Sequence, residues 1–281
     1  MKKITKPKLK FILIGQAGRT NRQILLGIGA TIFLIAFILW SLPEPHIMSS
    51  PEVSIMRDRG VLRVGLLEDM PGFNQNDEGL EAQLAELLGD YLLPDNGPLK
   101  TVERVTVNSR TAIPHLDNGD VDVIIAMQVK DANSSYVYST SYYTDVCRYV
   151  VLAGNEHLNL QTADIGTVQT SVLNTRLKNH MSEAHYLGKQ ITFASYPELL
   201  GALKSNRIDA ALVQSSYLSR FWNSGLSLHE EIFGTVDYAL LTGSDSPAFA
   251  QLMTILINDL KGKGALSAML KAHNLPEYVI E

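Results

Sequence analysis

Apolar residues are arranged in three ways along the chain. Residues 24–42 (ILLGIGATIFLIAFILWSL) form a run of nineteen without a charge. As a helix this run spans roughly the 30 Å hydrocarbon core of a bilayer. Residues 42–51 (LPEPHIMSSP) have three prolines and no periodicity, which marks a linker, taken to extend over 43–54. Beyond it, strand-like runs alternate with stretches of helical period. Residues 61–67 (VLRVGLL) predict a buried strand, followed by the turn residues Asp69, Pro71 and Gly72. Apolar positions 80, 84, 87, 88, 91 and 92 predict a helix over 80–93. Strands are expected at 102–107 and 121–127, with a helix at 110–116 and the turn Asp117-Asn118-Gly119-Asp120 between them. The same unit recurs as a helix at 196–203, a turn at 204–207 and a strand at 208–213. The two copies form a weak internal repeat with matched Asp122 and Asp209. The tail, 247–274, reads as two helices separated by Gly262 and Gly264. Strand–helix alternation gives an α/β fold with parallel sheet, and two such units suggest two lobes of similar build.

Charge adds a direction to this plan. The chain has 281 residues, 46% hydrophobic and 19% charged, with net charge −5. Seven of the 24 Lys and Arg (Lys2, Lys3, Lys6, Lys8, Lys10, Arg19, Arg22) precede Glu44 with no acid among them. Seventeen therefore remain against all 29 acidic residues, a balance of −12. An acidic body argues against nucleic acid as a partner. The basic segment 1–23 is expected in the cytoplasm, with 24–42 as an inner-membrane signal anchor and the body outside. A cleaved signal peptide is the rival reading. Against it stand the long basic region, the length of the apolar run and the lack of an A-x-A site. One cysteine, Cys147, excludes an internal disulfide and any multi-cysteine metal site.

Ordered segments from residue 55 onward then carry a resemblance. They are R-G-V-L-R-V-G at 59–65, M-P-G-F at 70–73, G-L-E-A-Q-L-A at 79–85 and L-D-N-G-D-V-D-V-I-I-A at 116–126. Further on come Y-S-T-S-Y-Y at 138–143, I-G-T-V-Q-T-S at 165–171, L-K-S-N-R-I-D-A-A-L-V at 203–213 and L-K-G-K-G-A-L at 260–266. In these the chain resembles the family-3 extracellular solute-binding proteins, with the type II periplasmic binding protein fold. The resemblance implies two lobes joined by two crossing strands, near 147–153 and 236–243, with a ligand in the cleft. Lobe one would be 55–147 plus 244–281, and lobe two 154–235. It also implies a small-molecule ligand, no cofactor, and an ABC permease or an envelope protein in the same membrane as partner.

Mapping the family's cleft onto this chain gives Asp69, Phe73, Met127, Gln128, Lys130, Thr170, Ser171 and Gln214 as ligand-binding candidates. Each has a plainer reading. Phe73 and Met127 also suit core packing, Thr170 and Ser171 suit helix capping, and Asp69 beside Glu68 suits a solvated acidic edge. Two departures matter. Amino-acid-binding relatives place an Arg before the segment matching 138–143, to grip the ligand carboxylate. Here no Arg lies between Arg110 and Arg148, and Lys130 is the only cation just before that segment. Where relatives carry an Asp for the ligand ammonium, this chain has neutral Gln214. A buried unpartnered charge costs several kcal/mol, on the order of what such a grip supplies. The expected ligand is therefore not a standard free amino acid.

Enzymatic readings find little support. There is no G-x-S-x-G, no phosphate loop and no H-E-x-x-H. His180, Glu183 and His185 lack the i, i+4 spacing of a helical metal site and read as a surface helix end. The chain is also similar to the anchor and binding module of membrane-bound lytic murein transglycosylases, without an E-S-x-x-W-like catalytic stretch. Two functions follow as expectations. One is a tethered solute-binding protein for a transporter or for sensing, and the other is a non-catalytic interaction module in envelope or peptidoglycan metabolism.

Overall fold

The computed structural model describes residues 50–93, 101–222 and 224–277. The apolar run 24–42 lies outside them. Among the described residues no helix is long and apolar enough to cross a membrane. Helix α1 (Pro51–Arg59) begins inside the stretch expected as linker, 43–54. Ser50 caps it by accepting the Val53 N–H at 3.3 Å, and Gly60 ends it in the left-handed region at φ 69°. Val53 and Met56 are buried, so this segment already belongs to the folded domain.

The chain continues through β1 (Val61–Leu67), α2 (Leu80–Leu92), β2 (Thr101–Val107), α3 (Ala112–Asp117) and β3 (Val123–Ile125). Strands β2, β1 and β3 form one parallel triplet. Strand β4 (Val137–Leu152) leads to β5 (Ile165–Val168), α4 (Val172–Glu183), β6 (Gln190–Phe193), α5 (Tyr196–Lys204), β7 (Ala210–Gln214) and α6 (Ser215–Phe221). Here β7, β5 and β6 form a second parallel triplet. Strand β8 (Leu226–Thr242) and helices α7 (Pro247–Gly262) and α8 (Ala265–Ala272) complete the chain. The sheet order is β2-β1-β3-β8-β4-β7-β5-β6. Two parallel triplets thus flank one long antiparallel pair, β4 with β8.

That pair joins the lobes. Ile124 of β3 pairs with Leu241, and Cys147 to Val150 of β4 pair with Gln214 to Ala211 of β7. The crossing expected at 147–153 begins with Cys147–Val150, which pair with β7 of the second triplet. The passage between triplets runs through Ser141–Val146 and Thr235–Ala239, which pair with one another. Register shifts break the ladder between Tyr138 and Tyr143 and between Cys147 and Val150, the kind of irregularity that bends and twists a strand.

The internal repeat has a structural meaning. Asp122 donates its N–H to Arg63 O at 2.9 Å, and its Oδ2 accepts the Arg63 N–H at 2.8 Å. Asp209 does the same with Asp164, at 2.9 and 2.8 Å. Each aspartate thus sits just before the third strand of its lobe and ties it to the neighbouring parallel strand. In lobe one Arg59 adds an ion pair to Asp122 at 2.5 Å.

Phe73 is packed into the core. It is fully buried, edge-on to Tyr143 (centroids 5.2 Å apart) and to Tyr238 (6.1 Å). Its loop is fixed by Gly79 at φ 133°, where a Cβ would come within 2.3 Å of the Phe73 carbonyl oxygen. Met127 is likewise buried. It adopts φ 49°, which ends β3 earlier than the apolar run 121–127 predicts. Left-handed backbone at a bulky residue costs on the order of 1–2 kcal/mol, and a neighbour must hold it.

That neighbour is Glu81, in the first turn of α2 and fully buried. Its Oε1 accepts the Met127 N–H at 2.7 Å and the Tyr142 hydroxyl. Its Oε2 has no partner among the described residues. Burial pushes the carboxyl up from 4.5 to about 8, against the lowering effect of the two hydrogen bonds. Cys147 is buried in the same core, and desolvation raises its thiol to about 12, so it stays protonated.

Two predictions follow from this core. Truncating Phe73 removes a ring packed on two others, so Phe73→Ala should cost about 3–5 kcal/mol in urea unfolding. Folded Glu81 holds its proton up to about pH 8, whereas the unfolded residue ionises near 4.5. Its contribution is complete below the lower value and is lost as pH rises through the higher one, a change on the order of a few kcal/mol. The stability difference between wild type and Glu81→Gln, from thermal unfolding at about pH 5 and about pH 9, should therefore move in favour of the variant as pH rises.

Candidate functional site

The two lobes face one another where polar loops leave the C-terminal ends of the parallel strands. Lobe one contributes Glu68 and Asp69 after β1, Ser109 after β2, and Met127 and Gln128 after β3. Lobe two contributes Thr170 and Ser171 before α4, Gln214 at the end of β7, and α6. Strand ends are where α/β proteins present binding groups, because the backbone leaves the sheet there and frees side chains.

A buried carboxylate fixes α6 against the crossing strands. Asp145, on β4, accepts the Ser216 hydroxyl at 2.5 Å and the Tyr238 hydroxyl at 2.8 Å on Oδ2. The Ser216 N–H reaches its two oxygens at 3.3 and 3.2 Å. Burial raises the Asp145 pKa, and the hydrogen bonds from Ser216 and Tyr238 act against that rise. One side chain therefore links β4, β8 and the start of α6.

The sequence-predicted residues divide into three groups. Phe73 and Met127 belong to the core. Lys130 is exposed, and its backbone N–H joins Asp237 O at 2.8 Å. Gln128 turns its Nε2 back to Ala126 O at 3.2 Å. Ser171 caps α4 through the Leu173 N–H at 3.2 Å. Gln214, 5% exposed, accepts the Tyr196 hydroxyl on Oε1 at 2.6 Å. Only Asp69 and Thr170 reach the other lobe. Asp69, at φ 56°, pairs with Arg220 at 3.4 Å, and Ser109 Oγ donates to Thr170 Oγ1 at 3.2 Å.

Arg220 is the residue that sequence reasoning missed. It lies in the last turn of α6, whereas the cation was sought before residue 138. Besides Asp69 it approaches the Glu68 carbonyl at 3.5 Å, and its guanidinium stands 5.3 Å from the Phe221 ring centroid. Also missed was an aromatic stack. Tyr196 lies 4.3 Å from Tyr217 and 5.9 Å from Phe221, with interplanar angles of 21° and 16°. Desolvation raises both phenols, so they remain neutral donors. The period of 217 and 221 on a short helix was the available signal, and Tyr196 had none.

The arrangement offers hydroxyls, amides, one cation and two acids around an aromatic stack. It has the makings of a recognition surface for a small polar solute. No group of three or more His, Cys, Asp or Glu among the described residues is placed to hold a metal ion. A cavity of about 230 Å³ between β4 and α8, and another of about 440 Å³ between β1, β2 and α2, contain none of the predicted residues.

No family model matches the chain. The ABC transporter glutamine-binding protein GlnH of Bacillus subtilis (strain 168) is 23% identical over 198 residues, which cover 69% of this chain and 71% of that protein. Among solved structures, an amino acid ABC transporter substrate-binding protein from Streptococcus pneumoniae bound to L-arginine superposes with a TM-score of 0.64. Its identity is 18%, over 82% of this chain and 100% of that one. The ancestral amino acid-binding protein AncCDT-1, a precursor of cyclohexadienyl dehydratase, gives a TM-score of 0.64 at 17% identity, covering 79% and 99%. With two parallel triplets joined by a long antiparallel pair, the chain has the two-lobed fold of the amino acid ABC transporter substrate-binding proteins.

Proposed function

We propose that this protein is an extracytoplasmic solute-binding protein that captures a small ligand between its lobes, for an ABC-type transporter or for sensing. The observation that supports it most is the pairing scheme. Two parallel triplets are joined through β4 and β8, and polar residues after their strand ends meet across the gap. A ligand held by both sides shifts such a molecule toward closure by its differential affinity for the closed form. The similarity to GlnH and to arginine-bound substrate-binding proteins points the same way.

The ligand in this reading is not a standard free amino acid. Gln214 stands where a carboxylate would meet an ammonium, and its oxygen is taken by Tyr196. Arg220, a cation that reaches across the lobes, faces Asp69 rather than standing alone. The reading also has the chain tethered by residues 24–42, so that its transporter or sensing partner shares the membrane and meets it at high effective concentration. It is a binding activity rather than a catalytic one, although one structural relative is a dehydratase precursor.

A second reading, a non-catalytic module that contacts other envelope proteins or peptidoglycan, draws support from one feature. The chain's own side chains bridge the lobes at Asp69–Arg220 and Ser109–Thr170.

Native mass spectrometry of the purified protein, followed by calorimetry with the solute it carries, should show one small molecule bound per chain. Calorimetry against the common amino acids should show none bound at micromolar affinity. Micromolar binding of any of them sinks the claim about ligand class, and absence of every solute favours the interaction module.

A further inference from the structure

Among the described residues, polar contacts cross directly from one lobe to the other at two places, Arg220 and Thr170. Arg220 Nη2, from lobe two, stands 3.4 Å from Asp69 Oδ2 and its Nη1 3.5 Å from Glu68 O, both in lobe one. Ser109 Oγ of lobe one lies 3.2 Å from Thr170 Oγ1 of lobe two. Neither is needed to fold a lobe, since Asp69, Ser109, Thr170 and Arg220 are all exposed. The lobes are joined by β4 and β8, whose register breaks on both sides of residues 143–147. A bend there carries the two contacts apart together.

We propose that these contacts form a latch that adds a closing contribution independent of solute, with Arg220 as a positioning residue of the binding cycle. The inference rests on the two-lobed capture reading and deepens it. An exposed ion pair is weak, but a contact made only in the closed form shifts the open–closed equilibrium by its whole free energy. An exposed pair of this kind changes an equilibrium by roughly two- to fivefold. Part of the affinity for any solute then belongs to the protein's own closure, and that part is screened by salt.

The test needs no ligand. Dyes are placed one in each lobe at Asn118→Cys and Lys204→Cys, both exposed, while buried Cys147 stays unlabelled. Energy transfer is read in wild type, Arg220→Gln, Asp69→Asn, Ser109→Ala and the exchange Arg220→Asp with Asp69→Arg. At about 0.01 M salt, where the screening length is about 30 Å, each charge variant should lower the closed-to-open ratio roughly two- to fivefold. At about 1 M salt, where that length is about 3 Å, the difference should vanish. The exchange should restore wild-type behaviour, and Ser109→Ala should act at both salts. Charge variants that match wild type at low salt overturn the latch, as does an equal loss at both salts or an exchange that fails to rescue. Since no solute is added, such a result leaves the capture reading to be judged by calorimetry alone.

Discussion

Everything in this fold depends on the antiparallel pairing of β4 with β8. Each parallel triplet is an α/β layer whose helices bury Leu84, Leu88, Leu199 and Leu203. What makes one molecule of them is sixteen residues of β4 and seventeen of β8, hydrogen-bonded through both lobes. The pairing is continuous enough to keep the lobes in register and irregular enough to bend. The side chains around it are correspondingly constrained. Tyr143 stacks on Tyr238 at 5.9 Å, and Asp145 ties the pair to α6.

Two buried carboxyls flank this axis, and they solve the same problem differently. Asp145 meets three donors, from Ser216 and Tyr238, which act against its desolvation. Glu81 meets two donors on one oxygen and, among the described residues, none on the other, and burial raises its pKa to about 8. In both cases the group holds backbone or hydroxyl donors from separate elements. That is why a polar residue is retained where an apolar one of similar size would fit the core at lower desolvation cost.

Much of the fold was legible in the sequence, because hydrophobic period is local. The strand 61–67 and the helix from Leu80 appear at the expected residues, and the tail divides at Gly262–Gly264. The matched Asp122 and Asp209 read correctly as a repeat and prove to be equivalent strand ties. The site was much less legible. Phe73 and Met127 follow strand ends, as binding residues do, yet the loop folds them inward. Which way a loop side chain turns depends on contacts with Tyr143, Tyr238 and Glu81, none of them near in sequence. Glu81 itself left a trace, an acid on the apolar face of its helix. Arg220 left none, since its partner Asp69 lies in the other lobe and only the tertiary fold brings them together.

The chain's path through the lobes also sets an order of assembly. Lobe two draws its parallel strands and their helices from one continuous stretch between β4 and β8. Lobe one does not, because β3 closes against Leu241 and α7 supplies Phe249, Met253 and Ile257 to its core. A ribosome delivering this chain from its amino end therefore releases the first half of lobe one with its sheet edge and apolar face uncovered. Until the last helices emerge, that half of lobe one is open to misassociation.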